Sequence, residues 1–426
     1  MKKILLAIPL FFSLLSNNVQ AIIEKNDIEF HGFASQGFVY SPDNPYAGRE
    51  SLDGSADFRE LGINANLTIG EQTHIAGQVF YRDFGEVNKA ETNLDFIFLD
   101  HRFIDDSDSF LGVRLGRYKN EFGLYNASRD LPMARPGLNV PESIYFEALR
   151  DSVLAIDGIA LYGGSSLSYG LIEYMIHYGD RDIASELLEK YVLNSAIPGE
   201  AQPESVWGFK IDFQPNQISG LEFGFSSLFT RLILEDSLSA AETKSNFTND
   251  LLNRGINPLD PASQPAINEY LSNNVGNYIN DVDLELATYA VSLRYAFDDW
   301  AISTEVMNIY ADASISVLGE TRSDMMVARG AYLQAEYFPM QELELLIRVE
   351  ELNLGLDLDL PNELEDRQNA TGVSVGVKCH FAPNWSFGIQ SSLYKGYAWA
   401  PVYEETHQDS IREYWRVHRA ELSYQF

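Results

Sequence analysis

Charged side chains of both signs crowd one segment, residues 116–151, "GRYKNEFGLYNASRDLPMARPGLNVPESIYFEALRD". Arg117, Lys119, Arg129, Arg135 and Arg150 are interspersed there with Glu121, Asp130, Glu142 and Glu147. The chemistry open to such a set is electrostatic. Guanidiniums held opposite carboxylates at a narrow point produce a transverse field that orients polar solutes and filters ions. Arg82 and Arg114, on preceding strands, are expected to join them. Phe122, Leu124, Tyr125, Met133, Ile144 and Phe146 need burial, while Pro132, Pro136 and Pro141 forbid strand continuation. The stretch 118–151 is therefore expected to fold inward as a constriction loop. The alternatives are a cap over a mouth or a contact with a neighbouring subunit.

Covalent chemistry finds little support. The seven histidines (31, 74, 101, 177, 380, 407 and 418) are scattered, and none sits in a recognisable nucleophile or metal motif. Acidic "DDSDS" (105–109) lacks the full pattern of a calcium loop. The single cysteine, Cys379, falls in step with Val373, Val375 and Val377 and reads as a strand residue. No catalytic residue, metal or cofactor is expected. A formal net charge of −32 argues against a nucleic-acid partner.

The elements that must position these charges are strands. In "ELGINANLTIG", Leu61, Ile63, Ala65, Leu67 and Ile69 alternate with polar or small residues, and in "SVWGFKIDF" Trp207, Phe209, Ile211 and Phe213 do the same. Such runs are about ten residues long, the length of a tilted strand crossing a bilayer. Connections alternate between short (70–72, 105–109, 163–166, 214–218, 298–299, 339–342, 382–384) and long (41–56, 84–92, 118–151, 179–204, 232–282, 312–327, 353–370, 396–411). Sixteen strands follow, with both termini on the short-turn rim. The fold class is all-β, a transmembrane antiparallel β-barrel with a water-filled lumen.

By parity Arg82, Arg114, Lys210, Arg294, Arg348, Lys378 and Arg419 face inward. So do Glu60, Glu173, Asp212, Glu222, Glu305, Glu336, Glu344 and Glu350. Tyr81, Tyr178, Trp300, Tyr337 and Trp385 are expected in interfacial girdles. The 232–282 stretch reads as a long solvated external loop, and a short helix is expected over 184–196. Residues 1–21 read as a secretory signal peptide, leaving 22–426 as one barrel.

The segment "GRYKNEFGLYNASRDLPMARPG" resembles porins of the phosphate-selective porin O/P-like group, matching at Gly116, Arg117, Lys119, Phe122, Gly123, Arg129 and Asp130. It departs at Glu121, where that group often has Pro. The resemblance implies a trimeric outer-membrane channel with an inward-folded third loop. Terminal Leu422, Tyr424 and Phe426 resemble the signal that outer-membrane barrels present to their assembly machinery. The expected function is passive diffusion of small hydrophilic solutes and ions across a Gram-negative outer membrane. The expected partners are outer-membrane lipid and lipopolysaccharide, the assembly machinery and two further copies in a homotrimer. Alternatives are a specific channel for phosphate or another small anion, an adhesin or receptor, and a hydrolase.

Overall fold

The computed structural model describes residues 28–147, 150–181, 200–235, 238–355, 368–400 and 411–426. The signal peptide expected over 1–21 and the helix expected over 184–196 both lie outside the described residues. The strands are β1 (Ile28–Tyr40), β2 (Ser55–Ile69), β3 (Thr73–Phe84), β4 (Asn88–Asp105), β5 (Ser109–Lys119), β6 (Ala155–Leu167), β7 (Gly170–Asp180) and β8 (Glu200–Pro215). They continue as β9 (Leu221–Glu235), β10 (Ile279–Phe297), β11 (Trp300–Val317), β12 (Glu320–Met340), β13 (Leu343–Asn353), β14 (Asn369–Ala382), β15 (Trp385–Gly396) and β16 (Tyr414–Gln425). Each pairs antiparallel with its sequence neighbours, and β16 returns to β1, so the barrel is closed.

At the seam Phe426 and Gly32 exchange both backbone hydrogen bonds: the Phe426 N–H donates to the Gly32 carbonyl at 2.9 Å and the Gly32 N–H to Phe426 at 3.2 Å. A Cβ on Gly32 would lie 2.6 Å from the Phe426 ring, so the terminal aromatic needs glycine beneath it. Closure leaves no unpaired edge, which is what a hydrocarbon environment requires.

Side chains alternate as a two-sided wall demands. On β14, Val375 is 51% exposed on the outer face, while its neighbour Ser374 is 1% exposed inside. Aliphatic side chains such as Ile63, Ile176, Val291 and Ile347 continue this outer belt. Trp300 stacks on Tyr337 at 4.5 Å between ring centroids, and Trp385 lies 4.7 Å from Tyr424, both near the short-turn rim. Toward the other rim Trp207 stacks on Phe229 at 4.0 Å. Aromatic rings at both edges of an apolar belt mark a bilayer's two interfaces.

Several connections differ from expectation. The long loop expected over 312–327 is a two-residue turn, Leu318–Gly319, with both φ values positive (52° and 73°). Such a turn matches strand twist, and the unusual Leu at its first position hides it from a reading based on turn composition. The 84–92 loop shrinks to Gly85–Val87, and the "GGSS" turn expected at 163–166 lies inside β6. A Cβ on Gly163 or Gly164 would meet Tyr174 at 2.7 Å or Phe110 at 2.6 Å, so these glycines leave room for aromatic rings on neighbouring strands.

The 232–282 stretch also departs from a plain loop. β9 runs on to Glu235, and the connection carries two helices, α1 (Ala240–Asn253) and α2 (Gln264–Asn273). Ser239 and Glu242 form a reciprocal capping box at the start of α1. The Tyr278 hydroxyl donates to Asp250 at 2.7 Å, tying α1 to the foot of β10. At 19, 18 and 21 residues, β10, β11 and β12 exceed a bilayer crossing and project as a sheet beyond it.

Placing a charge in the outer belt tests this assignment. Val375→Arg is expected to cost about 2–4 kcal/mol, as for a cation at the bilayer midplane, measured as a shifted urea transition of protein folded in lipid vesicles.

Candidate functional site

The chain leaves the wall after Lys119, and the loop's two feet are clamped together. The Asn120 N–H donates to the Leu154 carbonyl at 2.9 Å, and the Asn120 and Asn126 amides both donate to Val153. Between these feet, residues 120–147 run through the barrel interior. Phe122, Tyr125, Val140, Ile144 and Tyr145 are buried against inward wall residues including Met175, Leu228, Met307 and Tyr332.

On one side the loop is held by charge. Arg135 pairs with Glu60 of β2 at 2.5 Å and approaches Glu421 of β16 at 3.5 Å. Glu60 also receives Arg82 of β3 at 3.1 Å, and Arg82 reaches loop Glu147 at 2.6 Å. Glu147 takes Arg129 at 3.1 Å, while Asp130 takes Arg150 at 2.6 Å. Lys119 bridges Asp130 to Asp95 of β4. Glu60, Arg82, Arg129, Asp130, Arg135, Glu147 and Arg150 line a cavity of about 20 Å³, room for roughly one water. Beside it Tyr46, from the β1–β2 connection, donates to Glu142 at 2.6 Å, and Arg419 of β16 lies 3.6 Å from the same carboxylate.

Elsewhere the wall's carboxylates grip the loop backbone. The N–H of Gly137 donates to Glu344 at 2.7 Å, that of Ser143 to Glu350 at 3.1 Å and that of Leu124 to Glu305 at 3.0 Å. Glu305 also accepts from Ser292, Tyr145 and Tyr332, so this buried carboxylate is satisfied by neutral donors. Arg348 donates to the Asn139 carbonyl at 2.8 Å and Lys378 to that of Gly137 at 3.1 Å.

Burial raises the Glu142 carboxyl, with Arg419 opposing the shift. Burial acts the same way on Asp130 and Glu147. There the neighbouring cations win: Arg150 and Lys119 hold Asp130 low, and Arg82, Arg129 and Arg150 hold Glu147 low.

The structure brings together Arg82, Lys119, Arg129, Asp130, Arg135, Glu142, Glu147 and Arg150. Arg114 and Glu121 lie off this cluster: Arg114 donates to Asp100 at 3.0 Å and to Glu121 at 3.4 Å. Arg117 does not belong with them. It points out of the barrel and forms a two-point pair with Asp157 of β6, at 2.8 and 2.5 Å. Residues an odd number apart on a strand face opposite sides, so Arg114 and Arg117 cannot both line the interior. Lys119 turns inward because it is the last residue before the chain leaves the wall. Sequence reasoning missed Tyr46 and Asp95. The first sits in a polar connection, and the second lies beside a β3–β4 register shift that breaks simple alternation. Leu422, Tyr424 and Phe426 lie on the outer face of the closing strand.

No protein-family model matches the chain, and no curated protein matches it in sequence. Solved structures share the fold. The anion-selective porin from Comamonas acidovorans superposes with a TM-score of 0.54 at 12% identity, covering 94% of this chain and 100% of that one. The outer membrane channel DcaP of Acinetobacter baumannii gives 0.55 at 9% identity, over 95% and 98%. Outer-membrane expressed OmpT of Vibrio cholerae gives 0.51 at 12% identity, over 94% and 98%. At these identities the likeness is one of fold.

Two outcomes follow from the network. Glu60→Ala strips the nearer of two carboxylates from Arg135 and weakens the hold on Arg82. Breaking a buried pair from one side costs about 3–5 kcal/mol, so limited proteolysis of the reconstituted protein should cut within 120–147 faster than in wild type. Asp130 and Glu147 have depressed folded-state pKa values, so their stabilisation is complete above the ordinary carboxylate value of about 4 and is lost as pH falls through the lower folded values. Hydrogen-exchange protection of the loop should therefore survive mild acid and fall only well below about pH 4.

Proposed function

We propose that this chain is an outer-membrane channel through which small hydrophilic solutes and ions diffuse passively, filtered by the loop at 120–147. The observation that carries the reading is a loop bearing both signs of charge, pinned inside a closed barrel by side chains of the wall. A barrel with an apolar exterior and a charged interior separates water from lipid along its whole height. A rigid loop inside it limits what passes by size, and its charges limit what passes by sign. Two fold neighbours, the anion-selective porin and the outer membrane channel DcaP, support the same reading.

Phosphate specificity gains little support. Arg82, Arg129, Arg135 and Arg150 are each engaged by a carboxylate, leaving an anion to compete with bound partners. A homotrimer, export by residues 1–21, recognition of Leu422, Tyr424 and Phe426 by assembly machinery, and contact with lipopolysaccharide belong to the same reading. A second reading, a receptor or adhesin, draws on the projecting β10–β12 sheet with α1 and α2.

Planar-bilayer recording tests the channel. Purified protein should give stable open steps, in groups of three for a trimer. Replacing 121–146 with a short glycine-serine linker should raise the unit conductance several-fold. A folded barrel that never conducts, with or without the loop, would favour the receptor reading.

A further inference from the structure

The seal between loop and wall is uneven. Toward β13–β16 it is tall. Every inward position from Glu344 to Leu352 on β13, from Ala370 to Lys378 on β14 and from Trp415 to Ser423 on β16 is buried. Toward β7, β8 and β10 it is thinner, although on β9 every inward position from Gly224 to Leu234 is buried. On β7 the only buried inward positions are Met175 and His177, between partly exposed Glu173 and Gly179. On β10 Ala290 and Ser292 are buried between partly exposed Thr288 and Arg294, and burial resumes only at Leu284 and Val282, which belong to a separate cluster toward the long-loop rim.

What closes this thin sector is also different in kind. Phe122 packs into the apolar cluster with Met175 and Leu228. Gly123 donates its N–H to the Ser226 hydroxyl at 3.0 Å, and Leu124 donates to Glu305. Parting this contact requires two backbone hydrogen bonds to exchange with water and one ring to move. Parting the opposite side would separate the Arg135–Glu60 and Arg82–Glu147 ion pairs inside the protein, a far larger penalty.

Beneath the thin sector, on its short-turn side, the partly exposed wall is acidic. Lys210 is already paired with Asp212 at 3.2 Å, and Glu173 stands directly across from Asp212 in the β7–β8 register. Glu222 stands across from Arg294 in the β9–β10 register. Loop Glu121 shares Arg114 with Asp100. Five carboxylates thus face three cations: Asp100, Glu121, Glu173, Asp212 and Glu222 against Arg114, Lys210 and Arg294.

We propose that solute crosses the belt between Phe122–Leu124 and the β7–β10 wall, and that this crossing favours cations. An excess of fixed negative charge at a narrow, low-dielectric passage concentrates cations and repels anions. The groups that set the preference are Glu121, Asp212 and Glu222, on the loop, β8 and β9, where Glu121 and Glu222 lie close enough to act on the Asp212 carboxylate. The solute class is small monovalent inorganic and organic cations. The inference rests on the channel reading above and adds a route and a sign to it.

Single-channel recording in a potassium chloride gradient tests both. Wild type should show a reversal potential of cation-selective sign, and Asp212→Asn and Glu222→Gln should each move it toward zero. Phe122→Ala should raise conductance about twofold or more, and Leu138→Ala, on the β13–β15 side, should change it less. Heat-shifted mobility on SDS gels reports a folded barrel for each variant. A larger effect from Leu138→Ala than from Phe122→Ala overturns the route. A reversal potential of anion-selective sign, or one indifferent to both carboxylate changes, overturns the preference. Absence of conductance in wild type and in every folded variant overturns the channel reading itself, and the inference with it.

Discussion

The structure depends on one constraint: in hydrocarbon a backbone N–H or C=O has nothing to bond except another part of the chain. A sheet meets that constraint only by returning on itself, as the β1–β16 pairing does. Closure then sorts the side chains. Alternation sends the valines of β14 outward and its glycines, serine and lysine inward, and the other strands are divided the same way except where a bulge shifts the register. The barrel's inner wall is therefore largely polar, with an apolar patch where Phe122 and its neighbours pack on Met175, Leu228 and Met307. Whatever enters must bring its own polar partners, and the inward loop does. Its backbone N–H groups meet the carboxylates of Glu305, Glu344 and Glu350, while its arginines and acids meet complementary charges on β2, β3, β5 and β16.

The acidic composition has a local meaning in this light. Wall carboxylates act here chiefly as acceptors for loop donors. Glu60 takes two guanidiniums, and Glu305 takes four neutral donors. Satisfaction of this kind is what keeps buried ionisable groups from destabilising the fold, and it fixes the loop in one arrangement.

The barrel was legible because its signal repeats: each strand contributes the same period of two, and chain reversals separate them. What stayed hidden depends on tertiary packing or rare turn chemistry. Leu318 at positive φ looks like any strand leucine, and Gly163 and Gly164 look like a turn until the aromatic rings beside them are placed. Helices α1 and α2 carry narrow apolar stripes within a polar stretch, so composition masked them. At the site, the inventory of charges could be read from one segment, but their partners could not. Glu60 and Arg135 are 75 residues apart, and only the barrel's curvature brings them together. Arg117 was the one charge whose side could have been settled by counting from Arg114.

The loop's attachments have a mechanical consequence. A thin-walled cylinder flattens easily when squeezed from the side, because bending its wall costs little. Here 120–147 reaches from β2 and β3 across to β11, β13 and β14, and each end is fastened by short polar contacts. It works as a strut inside a hoop. Lateral pressure from a crowded bilayer that would make an empty cylinder oval is resisted by a brace in compression, so the cross-section and the loop keep their shape together.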